Sequence, residues 1–396
     1  MLSRPKGLAS LLLVMAVAVL VAACGSSNSS STSTTASTGA ASTTSGSSGV
    51  DEAKQLVQKA MQEPPFNGPT AKVPIDKAKG KTVYYVSLTE EIPALHEWGV
   101  VLAQQLAAAG VKTTKCDGKG APDGITRCLT SALAAHPDAI VAQALDTQFI
   151  ASYIAKAKAA GIKFITAQTG TPGIPKIDGD LAEVTLDYPA VGRMLADWFV
   201  ADSGCTKGGP QIITTTSSRQ PSAAEVAGMQ TELKRLCPDL SVPGVQNVLI
   251  PDWPTKLPTL SRSLVTQNPN LKYMLPLYDG MTIYMVPAIN GIQKAAKSVQ
   301  LGSFNATPVV MQNELAKQSP LSADVGGPNQ WYGVALADQT LRVLSGVDPV
   351  ASENVPLRLF TRDNIGSIDV KKDESTWYGS ADPICEYHKL WGLPCS

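Results

Sequence analysis

Few side chains in this sequence have the types and spacing that catalysis or metal binding requires. The histidines His96, His136 and His388 lie far apart, and no C-x-x-C pair accompanies them, whereas protein metal sites usually combine such ligands closely. The sequence GKT at 80–82 lacks the upstream glycine of a phosphate-binding loop, because Ile75 occupies that position. No G-x-S-x-G occurs in the folded region, and no G-x-G-x-x-G opens a helix. We therefore expect a protein that is not an enzyme and has no metal or cofactor.

The residues best suited to bind a small molecule are polar and aromatic side chains, most of which follow predicted strands. The ligand-binding candidates are Glu90, Glu91, Gln168, Thr169, Glu225, Tyr278, Asn305 and Trp331. Planar polar groups can bridge neighbouring hydroxyls, and aromatic rings can cover the apolar face of a carbohydrate. Trp98 and Trp253 are weaker ring candidates, and for Trp98 we favour a place in the core beneath a helix.

Several candidates have a purely structural alternative. Glu90 or Glu91 could stabilise the start of a helix through its dipole, and Glu225, in the first turns of a helix, has the same ambiguity. For Trp331, which follows the segment GGPNQ at 326–330, both a position at the cleft and a position in the core stay open. Gln168 ends a predicted strand, where parallel sheets bind ligands, so we expect it to line the site.

An alternation of strands and helices must position these residues. Apolar runs typical of strands occur at 82–88, 111–115, 139–142, 162–167 and 183–186, with helical patterns at 93–109, 125–135 and 148–160. A second series has helices at 190–201, 221–236, 255–267 and 281–297, and strands at 211–216, 245–250, 273–278 and 299–304. This order predicts two successive α/β units, each with a doubly wound parallel sheet.

Length and charge agree with that organisation. The chain has 396 residues, more than the roughly 250 to 300 at which a single hydrophobic core stops growing. Its 33 basic and 33 acidic residues balance, so the composition gives no reason to expect a nucleic-acid partner.

The N-terminus has the pattern of an exported lipoprotein. Arg4 and Lys6 precede an uncharged apolar run that ends in LVAAC at 20–24, which is typical of a signal peptide at 1–23 and resembles a bacterial lipobox with Cys24 as the acylated residue. The following Ser- and Thr-rich stretch carries no charge and predicts a flexible tether at 24–50. We therefore expect an exported protein held at the outer face of the cell membrane by lipid.

The other six cysteines are an even set, which in an oxidising compartment favours disulfides. Sequence alone allows many connectivities, but proximity along the chain favours three local pairs: Cys116 with Cys128, Cys205 with Cys237, and Cys385 with Cys395.

An ordered set of segments resembles the ribose-binding-type periplasmic solute-binding proteins, that is, the type I class. Its members are PDAIV at 137–141, GIKFIT at 161–166, NPN at 268–270 before the strand at 273–278, FNATP at 304–308 and VPLRLFTRDN at 355–364. The resemblance implies two α/β lobes joined by a three-crossing hinge. It also implies that the lobes close around a small-molecule ligand and deliver it, as a monomer, to an ABC transporter permease.

On this resemblance we assign a helix and lead-in to 51–79, a first lobe to 80–187 plus 328–354, and a second lobe to 188–327 plus 355–372. Residues 373–396 form a disulfide-closed C-terminal extension. The crossings are expected near Asp187, Gly327 and Val355.

The pocket departs from the family pattern. Gln168 and Thr169 replace an Asp-Arg pair, Glu225 stands where an arginine is usual, Tyr278 replaces an asparagine, and Asn305 replaces an aspartate. The loss of the arginine disfavours anionic solutes, so we expect a neutral sugar-like ligand. An amine-bearing or aromatic ligand is the alternative, as is a role as the ligand-sensing partner of a membrane receptor.

Overall fold

The computed structural model describes residues 44–170, 177–205, 208–241, 244–292, 295 and 298–395. Cys24, the segment 1–23 and most of the segment 24–50 therefore lie outside the described residues. Helix α1 (Thr44–Ala60) begins inside 24–50, earlier than the start at Asp51 that the sequence suggested. The helical part of the lead-in is thus longer than predicted.

The first lobe is built on a parallel sheet of five strands in the order β2-β1-β3-β4-β5. The strands are β1 (Thr82–Ser87), β2 (Lys112–Asp117), β3 (Ala139–Gln143), β4 (Lys163–Ala167) and β5 (Asp180–Val184), and the helices between them are α2 (Pro93–Ala108), α3 (Pro122–Ala134) and α4 (Thr147–Ala159). Every residue of β3 is buried, as expected for a central parallel strand whose two faces are both covered.

The second lobe is built on a sheet of six strands in the order β11-β10-β9-β8-β6-β7. The strands are β6 (Gln211–Thr214), β7 (Gln246–Asn247), β8 (Tyr273–Pro276), β9 (Gln300–Asn305), β10 (Leu321–Gly326) and β11 (Arg358–Thr361), with helices α5 (Tyr188–Ser203), α6 (Arg219–Leu236), α7 (Trp253–Gln267) and α8 (Asp279–Asn290). Strand β11 runs antiparallel to its neighbour, β10, whereas the other strand pairs described in this sheet are parallel. The predicted α/β fold with two parallel-sheet lobes is confirmed.

Three segments of the main chain cross between the two lobes. Strand β5 of the first sheet leads to α5 of the second lobe, and β10 leads back to α9 (Asn329–Ser345), which packs on α2 and β5. Helix α9 then leads to β11 in the second sheet. Asp187, Gly327 and Val355 lie in these three connections, and their role as hinges stays a prediction.

The lead-in forms a further connection between the lobes. Helix α1 packs on α5 and α6 of the second lobe. Farther along, the ring of Phe66 stacks on Trp331 of α9, with 4.8 Å between ring centroids. The segment 61–79 therefore passes from the second lobe to the first before β1 begins.

The C-terminal extension makes another such connection. Its first part packs on the second lobe, where the ring of Tyr378 lies 5.5 Å from that of Phe360 in β11. Its last helix, α10 (Pro383–Trp391), packs on α9 of the first lobe, and Trp391 Nε1 donates to Asp338 Oδ1 at 2.7 Å. The lead-in and the extension thus join the lobes in addition to the three family-like crossings.

The three predicted disulfides are confirmed. Cys116 bonds to Cys128, Cys205 to Cys237 and Cys385 to Cys395. The second of them joins the end of α5 to the end of α6, so it fixes two helices that also pack closely along their length.

Two predicted elements differ from the structure. The strand expected at 245–250 is reduced to β7, because the chain turns into a short 3₁₀ helix at Ile250–Asp252, which contains Pro251. The helix expected at 281–297 starts earlier and ends at Asn290, before Gly291.

Candidate functional site

A cavity, here called the central cavity, lies between the two lobes at the carboxyl ends of both sheets. It is lined by Leu88, Ile92, Leu95, Trp98, Ala144 and Gln168 from the first lobe and by Tyr188, Ser218, Ile250, Tyr278 and Asn305 from the second. Several of these residues stand at a strand end or within two residues of it, where α/β sheets bind ligands. No charged side chain is among the described residues of this lining.

Gln168 is the most informative polar residue of the central cavity. It follows β4 with φ of 53° and is buried. Its Oε1 accepts from the hydroxyl of Tyr188 and, at 3.4 Å, from the backbone N–H of Leu186. Since that N–H can only donate, it identifies the accepting atom as the oxygen and leaves Nε2 on the other side of the amide. Among the described residues Nε2 has no hydrogen-bond partner.

A buried amide donor without a partner costs free energy, so structures usually satisfy such groups. Gln168 lines the central cavity, and its Nε2 is therefore placed to donate to an oxygen of a bound molecule.

The second lobe contributes hydroxyl groups. Tyr278 follows β8, and its hydroxyl lies 3.0 Å from Ser222 Oγ near the start of α6. Burial, and secondarily the nearby Glu225, raises the pKa of Tyr278 above its usual value, so the phenol stays neutral. Ser218, directly before α6, also lines the cavity. These groups can exchange hydrogen bonds with a neutral polar ligand.

Asp279 positions the end of β9, where Asn305 lies, and the loop that follows it. Its carboxylate accepts from the backbone N–H of Thr307 at 2.7 Å and from the hydroxyl of Thr307 at 2.6 Å. Asn305 Nδ2 donates to the same carboxyl group at 3.4 Å. Burial raises the pKa of Asp279 to about 6. Asp279 thus acts on the cavity through Asn305 and does not line it itself.

Trp98 forms an aromatic wall of the cavity and is held in place by a relay of hydrogen bonds. Its Nε1 donates to Asn329 Oδ1 at 2.8 Å, at the start of α9. Asn329 in turn donates through its backbone N–H to Glu374 Oε1 at 2.7 Å. Glu374 belongs to the C-terminal extension, so that extension supports a residue of the central cavity.

The lobes are closed around this cavity. A Cβ on Gly120 would lie 3.1 Å from Ile250 across the cleft, so these two loops are in contact. Arg219 of the second lobe lies 3.5 Å from the carboxylate of Asp146 of the first. The volume open to the centres of water molecules is about 30 Å³, room for only a few waters.

The structure brings together three of the predicted binding residues, Gln168, Tyr278 and Asn305, at the central cavity. Contact between these residues and a ligand stays a prediction. The neighbouring Thr169 is buried, but its hydroxyl donates to the backbone oxygen of Ala167 at 3.2 Å, and it does not line the cavity.

Both glutamates of the first loop lie away from the central cavity. Glu90 pairs with Lys115 at 2.9 Å and contacts His96 at 3.0 Å, so its carboxylate is engaged within the first lobe. Glu91 is exposed and lines a separate small cavity at the cleft edge beside Trp253.

Glu225 and Trp331, for which the sequence left a structural role open, lie outside the central cavity. Glu225 lies where α6 crosses α5, with Gly192 packed directly on its backbone, and neither carboxyl oxygen has a partner among the described residues. Burial raises the pKa of Glu225 well above its usual value, which favours the uncharged acid. Trp331 stacks on Phe66 in the core. Neither side chain lines the central cavity.

Sequence reasoning missed most of the apolar lining. Trp98, for which it favoured a core position, is buried in the core and also lines the cavity. Leu88 and Ala144 directly follow β1 and β3, so the position after each strand was a usable signal. Tyr188 directly follows Asp187, the residue proposed for the first crossing. Ile92 and Leu95 offered no signal, because an apolar residue near a helix start usually packs in the core.

Within the described ranges, no group of three or more His, Cys, Asp or Glu side chains is arranged to hold a metal ion. Among the same residues no helix is both long and apolar enough to cross a membrane.

Comparison with known proteins places the chain in a family. A family model described as a periplasmic binding protein domain matches residues 83–346. No curated protein matches the chain.

Several solved structures share the fold. A 5-methylthioribose transporter solute-binding protein from Thermotoga lettingae, in complex with 5-methylthioribose, is 16% identical with a TM-score of 0.68, covering 78% of this chain and 96% of its own. An ABC transporter solute-binding protein from Agrobacterium vitis with bound allitol is 19% identical with a TM-score of 0.63, covering 73% and 98%. A Caulobacter myo-inositol binding protein is 18% identical with a TM-score of 0.62, covering 72% and 95%.

Proposed function

The chain belongs to the periplasmic binding protein family, and from that premise we propose that it captures a small, neutral, sugar-like solute between its lobes and delivers it to an ABC transporter. The observation that carries this proposal is Gln168, whose buried Nε2 has no partner among the described residues while the residue lines the interlobe cavity. The uncharged lining supports a neutral ligand, because a buried unpaired ionic group would be costly there. The sugars and polyols bound by proteins of the same fold agree with this class of solute.

Binding of neutral solutes to the whole chain tests the proposal. We expect sugars or polyols such as allitol, myo-inositol and 5-methylthioribose to raise the melting temperature, and sugar phosphates to leave it unchanged. Gln168→Asn keeps an amide that tolerates the left-handed backbone but shortens its reach, so the dissociation constant should rise about tenfold.

The matched control is Gln62→Asn, because Gln62 is exposed and lies outside the cavity. The proposal is wrong if only anionic solutes stabilise the protein, or if Gln168→Asn binds as tightly as the unchanged chain.

We also propose that lipid on Cys24 anchors the exported protein to the outer face of the cell membrane. The sequence LVAAC at 20–24, behind Arg4 and Lys6, supports this proposal. Cys24→Ala should move the protein from the membrane fraction to the soluble exported fraction. Retention of the variant in the membrane with an attached acyl chain would contradict the anchor.

A further inference from the structure

A second and larger cavity lies beside the central cavity at the opening of the cleft. This mouth cavity is lined by Leu88, Gly120, Ala121, Pro122, Ile125, Leu145, Asp146 and Phe149 of the first lobe and by Thr216, Ser217, Leu249 and Pro251 of the second. Leu88 lines both cavities, so the two are direct neighbours. The volume open to water centres is about 260 Å³ in the mouth cavity against about 30 Å³ in the central one. Most of the room inside the closed cleft therefore lies in the mouth cavity.

The polar groups of the mouth cavity are already engaged by the protein. Asp146 accepts from the backbone N–H of Gln148 at 2.9 Å and pairs with Arg219. The hydroxyl of Ser217 accepts from the backbone N–H of Ile250 at 3.2 Å. What the mouth cavity offers to a ligand is therefore mainly apolar surface.

Two large apolar side chains of this cavity are incompletely covered. Leu249 is 43% exposed, and Phe149 on the opposite lobe is half-buried. Apolar surface from both lobes that faces a shared cavity is removed from water when an apolar group enters between them.

We propose that the solute is an amphipathic neutral molecule, with an uncharged alkyl or aryl substituent in the mouth cavity and a compact hydroxylated head against the polar groups of the central cavity. The central cavity, at about 30 Å³, must widen to admit this head. This inference rests on the proposed function and narrows its ligand class. The head is held by polar groups such as Gln168 and Asn305, and the substituent packs between Phe149 and Leu249. Because the substituent contacts both lobes, it favours the closed arrangement.

Calorimetry with matched pairs of glycosides tests the inference on the whole chain. The probes are the methyl and hexyl β-glycosides of glucose and galactose, with 1-hexanol as an apolar probe that lacks a head. We expect the hexyl member of a pair to bind at least about tenfold more tightly than the methyl member, since burial of two methylene groups suffices for that factor.

Two variants of similar exposure separate cavity packing from a general surface effect. Leu249→Ala should remove most of the hexyl preference. Leu181→Ala removes a leucine that is 45% exposed on β5, outside both cavities, and should leave the preference intact.

The outcomes distinguish failure of the inference from failure of the proposed function. Equal affinity for methyl and hexyl members, with binding weakened by Gln168→Asn, overturns the amphipathic ligand and leaves capture of a neutral sugar standing. Hexanol binding as tight as hexyl glycoside binding, unaffected by Gln168→Asn, overturns both, as does the absence of binding by every glycoside.

Discussion

Removal of the buried carboxyl group of Glu314 should change how the stability of this protein depends on pH. Glu314 lies in a short π-helical turn, Met311–Leu315, and its side chain is buried. Burial raises its pKa from 4.5 to about 7, with a smaller contribution in the same direction from Asp279 and an opposing one from Thr282. In the unfolded chain the group loses its proton near 4.5, whereas in the folded chain it keeps the proton until about 7.

The sign of the effect follows from this difference. The group's contribution to stability is fully present below about pH 4.5 and is lost as the pH rises to about 7. The difference between a pKa of 4.5 in the unfolded chain and about 7 in the folded chain corresponds to about 3 kcal/mol of stability. Glutamine does not titrate. Between pH 4.5 and pH 8, the free energy of unfolding of Glu314→Gln should therefore rise by about 3 kcal/mol relative to that of the unchanged protein.

Urea unfolding at both pH values measures this difference directly. Other carboxyl groups titrate in both proteins, so subtracting the two pH dependences isolates Glu314. Glu91→Gln controls for the removal of an exposed carboxylate, because Glu91 is exposed. If the unchanged protein and Glu314→Gln lose the same free energy of unfolding from pH 4.5 to pH 8, the assigned proton on Glu314 is refuted.

Two further predictions concern the frame around the site. Replacing both Cys205 and Cys237 with alanine should lower the free energy of unfolding by about 3.7 kcal/mol, because this pair closes a loop of 32 residues. The same change at Cys385 and Cys395 should lower it by about 2.7 kcal/mol, because that loop has 10 residues. Equal costs in urea unfolding would contradict the loop-closure argument. Small-angle scattering should show an ensemble that becomes more compact when a saturating neutral solute binds, as the lobes close about the connection that contains Gly327; an unchanged radius of gyration at saturation would argue against closure.

The sequence was sufficient to predict the central strands of both lobes, because β1, β3 and β4 are short apolar runs separated by helical patterns. It did not reveal β10 or α9. Strand β10 contains Ser, Asp and Gly and is nevertheless fully buried, so it lacks an apolar run. Helix α9 is almost completely buried between the first sheet, α2 and the C-terminal extension, so it has no polar face to produce helical periodicity.

The site was harder to predict because its residues are selected by contacts between distant parts of the chain. Trp331 lies outside the cleft and stacks on Phe66, which belongs to the lead-in more than two hundred positions earlier. Trp98 is kept at the cavity by Asn329, which belongs to α9. Neither contact is visible in local periodicity, and both depend on segments that lie outside the family match at 83–346 or near its end.

The charge of the site also depends on these distant contacts. Acidic residues near the strand ends suggested that a ligand cation could be bound, yet none of them presents a carboxylate to the central cavity. Glu90 is paired with Lys115, Asp279 is bound by Thr307, and Glu225 is buried where the uncharged acid is favoured. The loss of the family's arginine argues against an anionic solute, and the engagement of these acids removes the corresponding reason to expect a cationic one. If the proposed function holds, the solute is selected by shape, a few neutral hydrogen bonds and apolar surface.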